Sequence, residues 1–447
     1  MKWRADSVQV DVLRRGEQPA TGGAPPVLIL SCASEAWAKA HGGSHTLSFS
    51  RGPAQADAVA SLYVREMLHE DDCEVLPGLD HHDGRQLQPS VVRDAARLAL
   101  QNTGTPVEVA LVVSDGLAPW QLASLDHRPE LIYTLRRYLE QRPGAVVVLP
   151  DASGPVSIAP AGARSGRMGS LASASLPERW RGLAHNLSGL AALFREHYQI
   201  GLCDAPVSTG AVLGSEQGLE ALAGMDVGVC TWAGVSQQLD AHGWRSAAAL
   251  VGAALAKSIS DLSMNSNMTV PVLSHHSIVL GSGRLVKRSR LMQGRATGGH
   301  QRPQTAHCTV VSLGHDQHAP EILQDASMRR PLGDWTLPAL WTVKQVIRRV
   351  ETIASAYVFA TADEAMAIDL KGALFEELGQ LIGSGVLVAP TGEGLPLVET
   401  TVGDGSSHAG AAPSPRLEAT ITAALAPWLT RLELQVEIDQ QVQLRAS

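Results

Sequence analysis

The sequence predicts a multidomain α/β and α+β chain, closed by a carboxy-terminal domain whose sheet is completed by terminal strands, with helices packed on it. Three observations predict this. From Arg431 to Leu444, the apolar residues Leu432, Leu434, Val436, Ile438, Val442 and Leu444 share one parity, and polar residues fill the other with Gln440 as the single lapse. Side chains alternate faces along a strand, so this is a long half-buried strand. Near the other end, Val8, Val10 and Val12 alternate with Ser7, Gln9 and Asp11. Between the two ends, short apolar runs alternate with segments of helical spacing, the pattern of parallel strands joined by helices. A strand at each terminus must find a sheet, in its own subunit or in a neighbour, because an unpaired edge is a template for strand addition. The pattern fits both exchange between subunits and closure within one.

The elements follow in order. Residues 1–26 form an amino-terminal strand arm ending in the break Gly22-Gly23-Ala24-Pro25-Pro26, and Val27 to Leu30 is a buried strand. Residues 27–158 read as an α/β domain. Within it, Ala54 to Leu68 has helical spacing, Cys73 to Leu76 is a short strand, and Pro89 to Gln101 is a helix. Val107 to Val113 is a strand, Pro129 to Gln141 a helix, and Ala145 to Leu149 a continuous apolar strand. Residues 159–179, rich in Ala, Gly and Ser, form a linker or loop.

A second α/β region covers 180–335. It holds a helix from Trp180 to His197, strands at Ile200 to Cys203 and Val227 to Thr231, and an alanine-rich helix from Trp244 to Leu262. Its stretch 286–308 carries Lys287, Arg288, Arg290, Arg295 and Arg302 without an apolar period and reads as a basic loop or hairpin. Residues 336–447 open with two amphipathic helices. Leu340, Val343, Val346, Ile347, Val350 and Ile353 mark the first, and Leu370, Leu374, Leu378, Leu381 and Ile382 the second. A short strand at Val386 to Ala389, a polar loop from Gly403 to Pro415 and the long terminal strand complete the chain. No repeat recurs at a fixed period.

Bulk properties exclude several classes. With 36 basic and 44 acidic residues, nothing draws the chain as a whole to nucleic acid or to an anionic membrane. The apolar run from Val27 to Ser31 is far short of the roughly 20 residues a membrane span needs. The opening MKWRADSVQVDVLRR lacks the apolar core of a signal peptide, and Cys32, Cys73, Cys203, Cys230 and Cys308 are scattered and never CxxC. Reduced, packed thiols in a protein folded in the cytoplasm are expected.

Candidate chemistry is sparse. His81-His82-Asp83, His275-His276 and His315 with His318 lack the converging spacing of a metal site, and solvent-facing loop histidines are the plainer reading. No GxSxG elbow, GxGxxG or GxxxxGK[ST] loop is present. The basic stretch has no interleaved aromatic for base stacking. Val112-Val113-Ser114-Asp115-Gly116-Leu117, at a strand's carboxyl end where ligands bind parallel sheets, is the best enzyme-like motif. It resembles a VVxDGL string of the small subunit of ethanolamine ammonia-lyase, a likeness of one hexapeptide, while Asp-Gly is also an ordinary turn. An α/β enzyme or lyase-subunit-like protein with a site near Asp115 is therefore the alternative function. No cofactor is expected.

From Leu183 onward the order of features resembles the contractile tail sheath proteins of bacteriophages and related injection systems. The residues that carry the likeness are Asn186-Leu187-Ser188-Gly189-Leu190, then Ile200 to Pro206, the small-residue run Trp244 to Ala256, and Asn265-Ser266-Asn267-Met268. Val346-Ile347-Arg348-Arg349-Val350, Tyr357-Val358-Phe359-Ala360, Gly385-Val386-Leu387 and the closing strand follow. The chain lacks the Pro-Gly-Val opening of the common phage type and departs from it before Leu183, which suits a divergent, Mu-like sheath. The resemblance implies a structural subunit that polymerises helically around a tail tube and contracts to drive it through an envelope. Its partners would be other copies of itself, the tube, the baseplate and the tail terminator, with no nucleic acid and no membrane insertion. It would reside in a virion tail assembled in the host cytoplasm. Sheaths exchange terminal strands, which implies intersubunit roles for Val8, Val10, Val12, Leu432, Leu434, Val436 and Ile438. Their inner domain, here 336–447, contacts the tube, and Lys344 and Arg348, one turn apart on an expected exposed helix face, are the candidate tube contacts.

Overall fold

A computed structural model describes residues 3–4, 7–11, 26–33, 37–38, 40, 46–49, 60–76, 91–113, 129–150, 152, 176–205, 222–232, 239–240, 243–244, 246–264, 308–313, 320–324, 326–329, 335–357, 363–383, 387–389, 397–404, 415–425 and 430–439. The strands in chain order are β1 (Trp3–Arg4), β2 (Ser7–Asp11), β3 (Val27–Ala33), β4 (Thr46–Phe49), β5 (Ala60–Met67), β6 (Val107–Val113), β7 (Val146–Leu149), β8 (Ile200–Asp204) and β9 (Val227–Trp232). They continue as β10 (Leu239–Asp240), β11 (Gly243–Trp244), β12 (Thr309–Leu313), β13 (Pro320–Gln324), β14 (Leu387–Val388), β15 (Leu397–Asp404), β16 (Pro415–Leu425) and β17 (Thr430–Asp439). The helices are α1 (Val91–Thr103), α2 (Pro129–Glu140), α3 (Leu176–Glu196), α4 (Ala247–Met264), α5 (Leu337–Ser355) and α6 (Glu364–Gly383). The chain forms two compact units, one of Ala24–Ser260 with Val272–Leu340, the other of Met1–Gly23, Asp261–Pro271 and Trp341–Ser447.

The larger unit holds a nine-stranded sheet in the order β13-β12-β9-β8-β7-β3-β6-β5-β4. The six central strands pair in parallel, from β12 through β9, β8, β7 and β3 to β6. β13, β5 and β4 pair antiparallel at the flanks. The continuous apolar runs occupy the centre because a parallel strand is covered on both faces: all seven residues of β3 and all of β7, β8 and β9 are buried. β7 pairs with β8, so the α/β stretches on either side of residues 159–179 belong to one sheet.

Small residues let helices approach this sheet closely. A Cβ added at Gly252 of α4 would lie 2.8 Å from Val148 Cγ2, and one at Gly201 of β8 would lie 2.4 Å from the Phe194 ring. Polar groups lock the layers at the edges. The Glu108 carboxylate accepts hydrogen bonds from Tyr138 and Arg142, with Arg142 Nη2 at 2.9 Å from Oε2, and the guanidinium stacks over the Tyr138 ring at 3.9 Å. Buried Gln199 donates to the carbonyls of Leu139 and Arg142, at 3.0 and 2.8 Å, which seals the end of α2.

Two sequence readings are corrected in this unit. The segment expected as a helix from Ala54 to Leu68 contains β5, antiparallel to β6, with Leu62, Tyr63 and Met67 fully buried. Its apolar residues satisfy a helical spacing and a strand equally, and pairing with β6 decides. Trp37 closes on Tyr63 edge-to-face at 5.1 Å. The expected strand at Cys73 to Leu76 is instead part of a 3-10 helix, Glu70–Val75. Its three leading acids suit a helix start, and Asp72 accepts the backbone N–H groups of Leu68 and His69, both at 3.0 Å. Those bonds hold the Asp72 carboxyl below the usual carboxylate range.

In the smaller unit a mixed six-stranded sheet runs β1-β2-β17-β16-β14, with β15 also on β16. α6 buries Ala367, Leu370, Leu374, Leu378 and Leu381 and packs against β14, β15 and β16. Each fully buried leucine contributes about 1.5–3 kcal/mol. β15 and β16 were not foreseen. β16 nonetheless alternates in sequence, with Leu417, Ala419, Ile421 and Ala423 buried, Glu418 and Thr420 half-buried between them, and Thr422 buried as well.

Candidate functional site at the paired chain ends

The two ends of the chain meet in the smaller unit's sheet. β17 is bounded on one side by β16, antiparallel over ten residue pairs from Arg416↔Asp439 to Leu425↔Thr430. On its other side lies β2, parallel, with Leu434 opposite Val8 and Val436 opposite Val10. Register brings the apolar parities into line, with Ile438, Val436, Leu434 and Leu432 opposite Leu417, Ala419, Ile421 and Ala423. β15 extends the rows, Val398 opposite Ile421 and Val402 opposite Leu417. A one-residue slip would move every row to the other face, so this register is strongly specified. The pairing described here joins β2 and β17 of one chain.

The opposite parity gathers like charge. Glu418 is paired with Glu437, and Glu437 with Asp11, so three carboxylate-bearing positions lie in one row across β16, β17 and β2. Gln435 likewise pairs with Gln9. Like charges at directly opposed positions destabilise a sheet.

Of the expected site residues, Val8, Val10, Leu432, Leu434, Val436 and Ile438 fall within these paired strands, and Val12 lies outside the described residues. Lys344 and Arg348 both lie on α5. The expectation that Lys344 is exposed is corrected: it is 1% exposed, with neighbouring Thr342 at 4%. The physical reason is that Thr342, Val343 and Lys344 are buried in succession, pointing about 100° apart around α5, so burial here is not confined to one stripe. Arg348 is half-buried and donates to Gln345 Oε1 at 3.2 Å. Burial, and Arg349 beside it, push its guanidinium below the usual range. Arg349 is exposed and paired with Glu377 at 2.5 Å.

A constellation that the sequence reading passed over lies at the carboxyl end of β8. Asp204, fully buried, accepts a 2.6 Å hydrogen bond from Ser246 Oγ and a 3.0 Å bond from the Ala248 N–H. Ser246 Oγ in turn accepts from the Ala249 N–H at 3.1 Å. Ser246 is thus the N-cap of α4, and Asp204 is a second, tertiary cap tying that helix to the central sheet. The signal for it was the serine just before an apolar helix; its partner 42 residues away was not readable. Both of these acceptor bonds serve the helix start, which is a structural role. Asp226 plays a similar part, accepting from Arg195 Nε at 3.2 Å near buried Arg329, which stacks on Trp335 at 4.4 Å. Burial pushes the Arg329 guanidinium down to about 10.

Asp115, the histidine pairs and the basic stretch 286–307 lie outside the described residues. Among the described residues, no group of three His, Cys, Asp or Glu side chains could hold a metal ion, and no helix is long and apolar enough to cross a membrane. An open depression of about 300 Å³ between His69, Glu70, Gln101 and Thr105 has its one carboxylate engaged, Gln101 donating to Glu70 at 3.0 Å.

No family model matches the chain, and no curated protein matches it. Among solved structures it is similar to a chain of the anti-feeding prophage (AFP) baseplate seen by cryo-electron microscopy, at 14% identity and a TM-score of 0.48 over 93% of this chain and 92% of that one. It is similar to a chain of the contracted sheath complex of PVC, an extracellular contractile injection system, at 12% identity and a TM-score of 0.47 over 93% and 91%. The contracted AFP helical sheath aligns at 14% identity and a TM-score of 0.44 over 91% and 93%.

Proposed function

We propose that this protein is the structural subunit of a contractile tail sheath, one that polymerises helically around a tail tube and contracts to drive the tube through an envelope. The observation that carries the reading is the parallel pairing of the two chain ends, Val8 with Leu434 and Val436 with Val10. A sheet that closes on its own amino-terminal strand can close equally on a neighbour's. Fifteen residues separate Asp11 from Val27, enough chain to reach about 50 Å when extended. Exchange would replace an intrachain pairing by the same pairing in trans, each main-chain bond worth about 0.5–1.5 kcal/mol net. Repeated along a polymer, such strands tether subunits while they repack as rigid bodies during contraction.

On this reading the partners are further copies of the chain, the tail tube, the baseplate and the terminator, in a tail assembled in the bacterial cytoplasm. Of the two cations assigned to the tube, half-buried Arg348 retains that role. The test is electron microscopy of the purified full-length chain beside a truncation lacking the residues before Leu13. The full chain should form tubes or striated polymers; the truncation should fold, judged by its circular dichroism, and stay monomeric. Normal polymers from the truncation would defeat the proposal.

A further inference from the structure

The outward face of α6 has a composition that packing within this chain does not require. On one flank of its buried leucines, Ile368 is 65% exposed and Phe375 38% exposed, seven residues apart, with half-buried Ile382 seven further on. Gly372 and Gly379 also lie seven apart, each one turn beyond an exposed apolar residue. A Cβ built at either glycine meets nothing within 4 Å, so neither is needed for fit inside the chain. Glycine in a helix interior lowers helix stability relative to alanine. What the pair provides is a shallow bay beside Ile368 and Phe375 where another backbone can come close.

The spacing names the shape of the occupant. Apolar and small residues repeating every seven positions form a seam that follows a second helix, as in coiled-coil packing. Charge names its chemistry. Along one edge of the seam lie Asp369 and Glu376, both exposed and themselves seven apart; Tyr357 Oη donates to Asp369 Oδ2 at 3.0 Å and steadies it. An antiparallel pairing of two copies of α6 would set this acidic edge against itself, a repulsive arrangement; exposed Lys371, one turn from both Ile368 and Phe375, lies on the other edge. We propose that the α6 face binds an amphipathic helix of a partner protein, apolar along its seam and bearing lysine or arginine on the edge that meets Asp369 and Glu376. This inference does not depend on the strand exchange proposed above.

The test uses the full-length chain and two labelled 21-residue peptides. Both carry leucine and isoleucine at the heptad seam; one has lysine and the other glutamate at the flanking positions. Fluorescence anisotropy should show the lysine peptide binding at least tenfold more tightly than the glutamate peptide. Phe375→Ala, and separately Glu376→Lys, should weaken it at least tenfold. The paired change Gly372→Leu with Gly379→Leu should weaken it similarly while raising the melting temperature, since the helix itself gains, and this separates loss of binding from loss of fold. Equal binding of the two peptides, or lysine-peptide binding unmoved by these variants, would overturn the proposal. So would absence of binding, or association of a labelled second copy of the chain that Phe375→Ala abolishes.

Discussion

At the residue scale, a buried carboxylate bonded to the N-cap hydroxyl and to a first-turn N–H of a helix is a cap, and Asp204 meets that description. Replacing it with alanine leaves Ser246 and the Ala248 N–H without their acceptor in the core, and Asp204→Ala should cost about 2–3 kcal/mol. Asp204→Asn, which keeps an acceptor, should cost less; urea unfolding midpoints would rank the two. Lys344 makes the opposite point about surface charge. Because it is 1% exposed, Lys344→Glu places an anion where the structure holds a cation, and it should markedly lower the unfolding midpoint. Arg349→Gln breaks only the pair with Glu377, whose arginine side chain is 54% exposed, and should stay within about 1 kcal/mol of the parent. A Lys344 variant as stable as the parent would refute its burial.

At the scale of elements, the continuous apolar strands and the long amphipathic helices were legible, and their physics is local. β6 has the bounds its apolar run implies, Val107–Val113, and α5 and α6 follow from their apolar spacing. Elements that depend on a partner were not legible. β5 is a strand because β6 pairs with it, and the burial of Lys344 follows from coverage that periodicity cannot report. β16 was different: its alternation was present in the sequence but rests on alanine and threonine, which weigh less than the leucines and valines of β17. Asp204 was out of reach because its cap joins residues far apart in the chain. The acidic row yields an element-scale prediction. Since Glu437 is paired with Glu418 on one side and Asp11 on the other, Glu437→Gln should stabilise the sheet by about 0.2–1 kcal/mol. The gain should shrink in high salt as screening removes the repulsion. Unfolding midpoints at two ionic strengths would check both statements.

At the scale of the whole molecule, β2 either completes the sheet of its own chain or that of the next one. The most direct measurement is disulfide trapping between Val8→Cys and Leu434→Cys, register partners on neighbouring strands about 4.8 Å apart, within the Cα separations a disulfide accepts. The five native cysteines are buried and reduced. Burial pushes the thiols of Cys73 and Cys308 up to about 11 and about 12, so they remain protonated and slow to react at pH 8. Two singly substituted proteins are mixed, allowed to assemble and oxidised. Strand exchange predicts disulfide-linked dimers from the mixture, and none from either protein alone. If assembled mixtures yield no dimers, while the doubly substituted chain closes its bond entirely within itself, the terminal strands serve one subunit and the central claim fails.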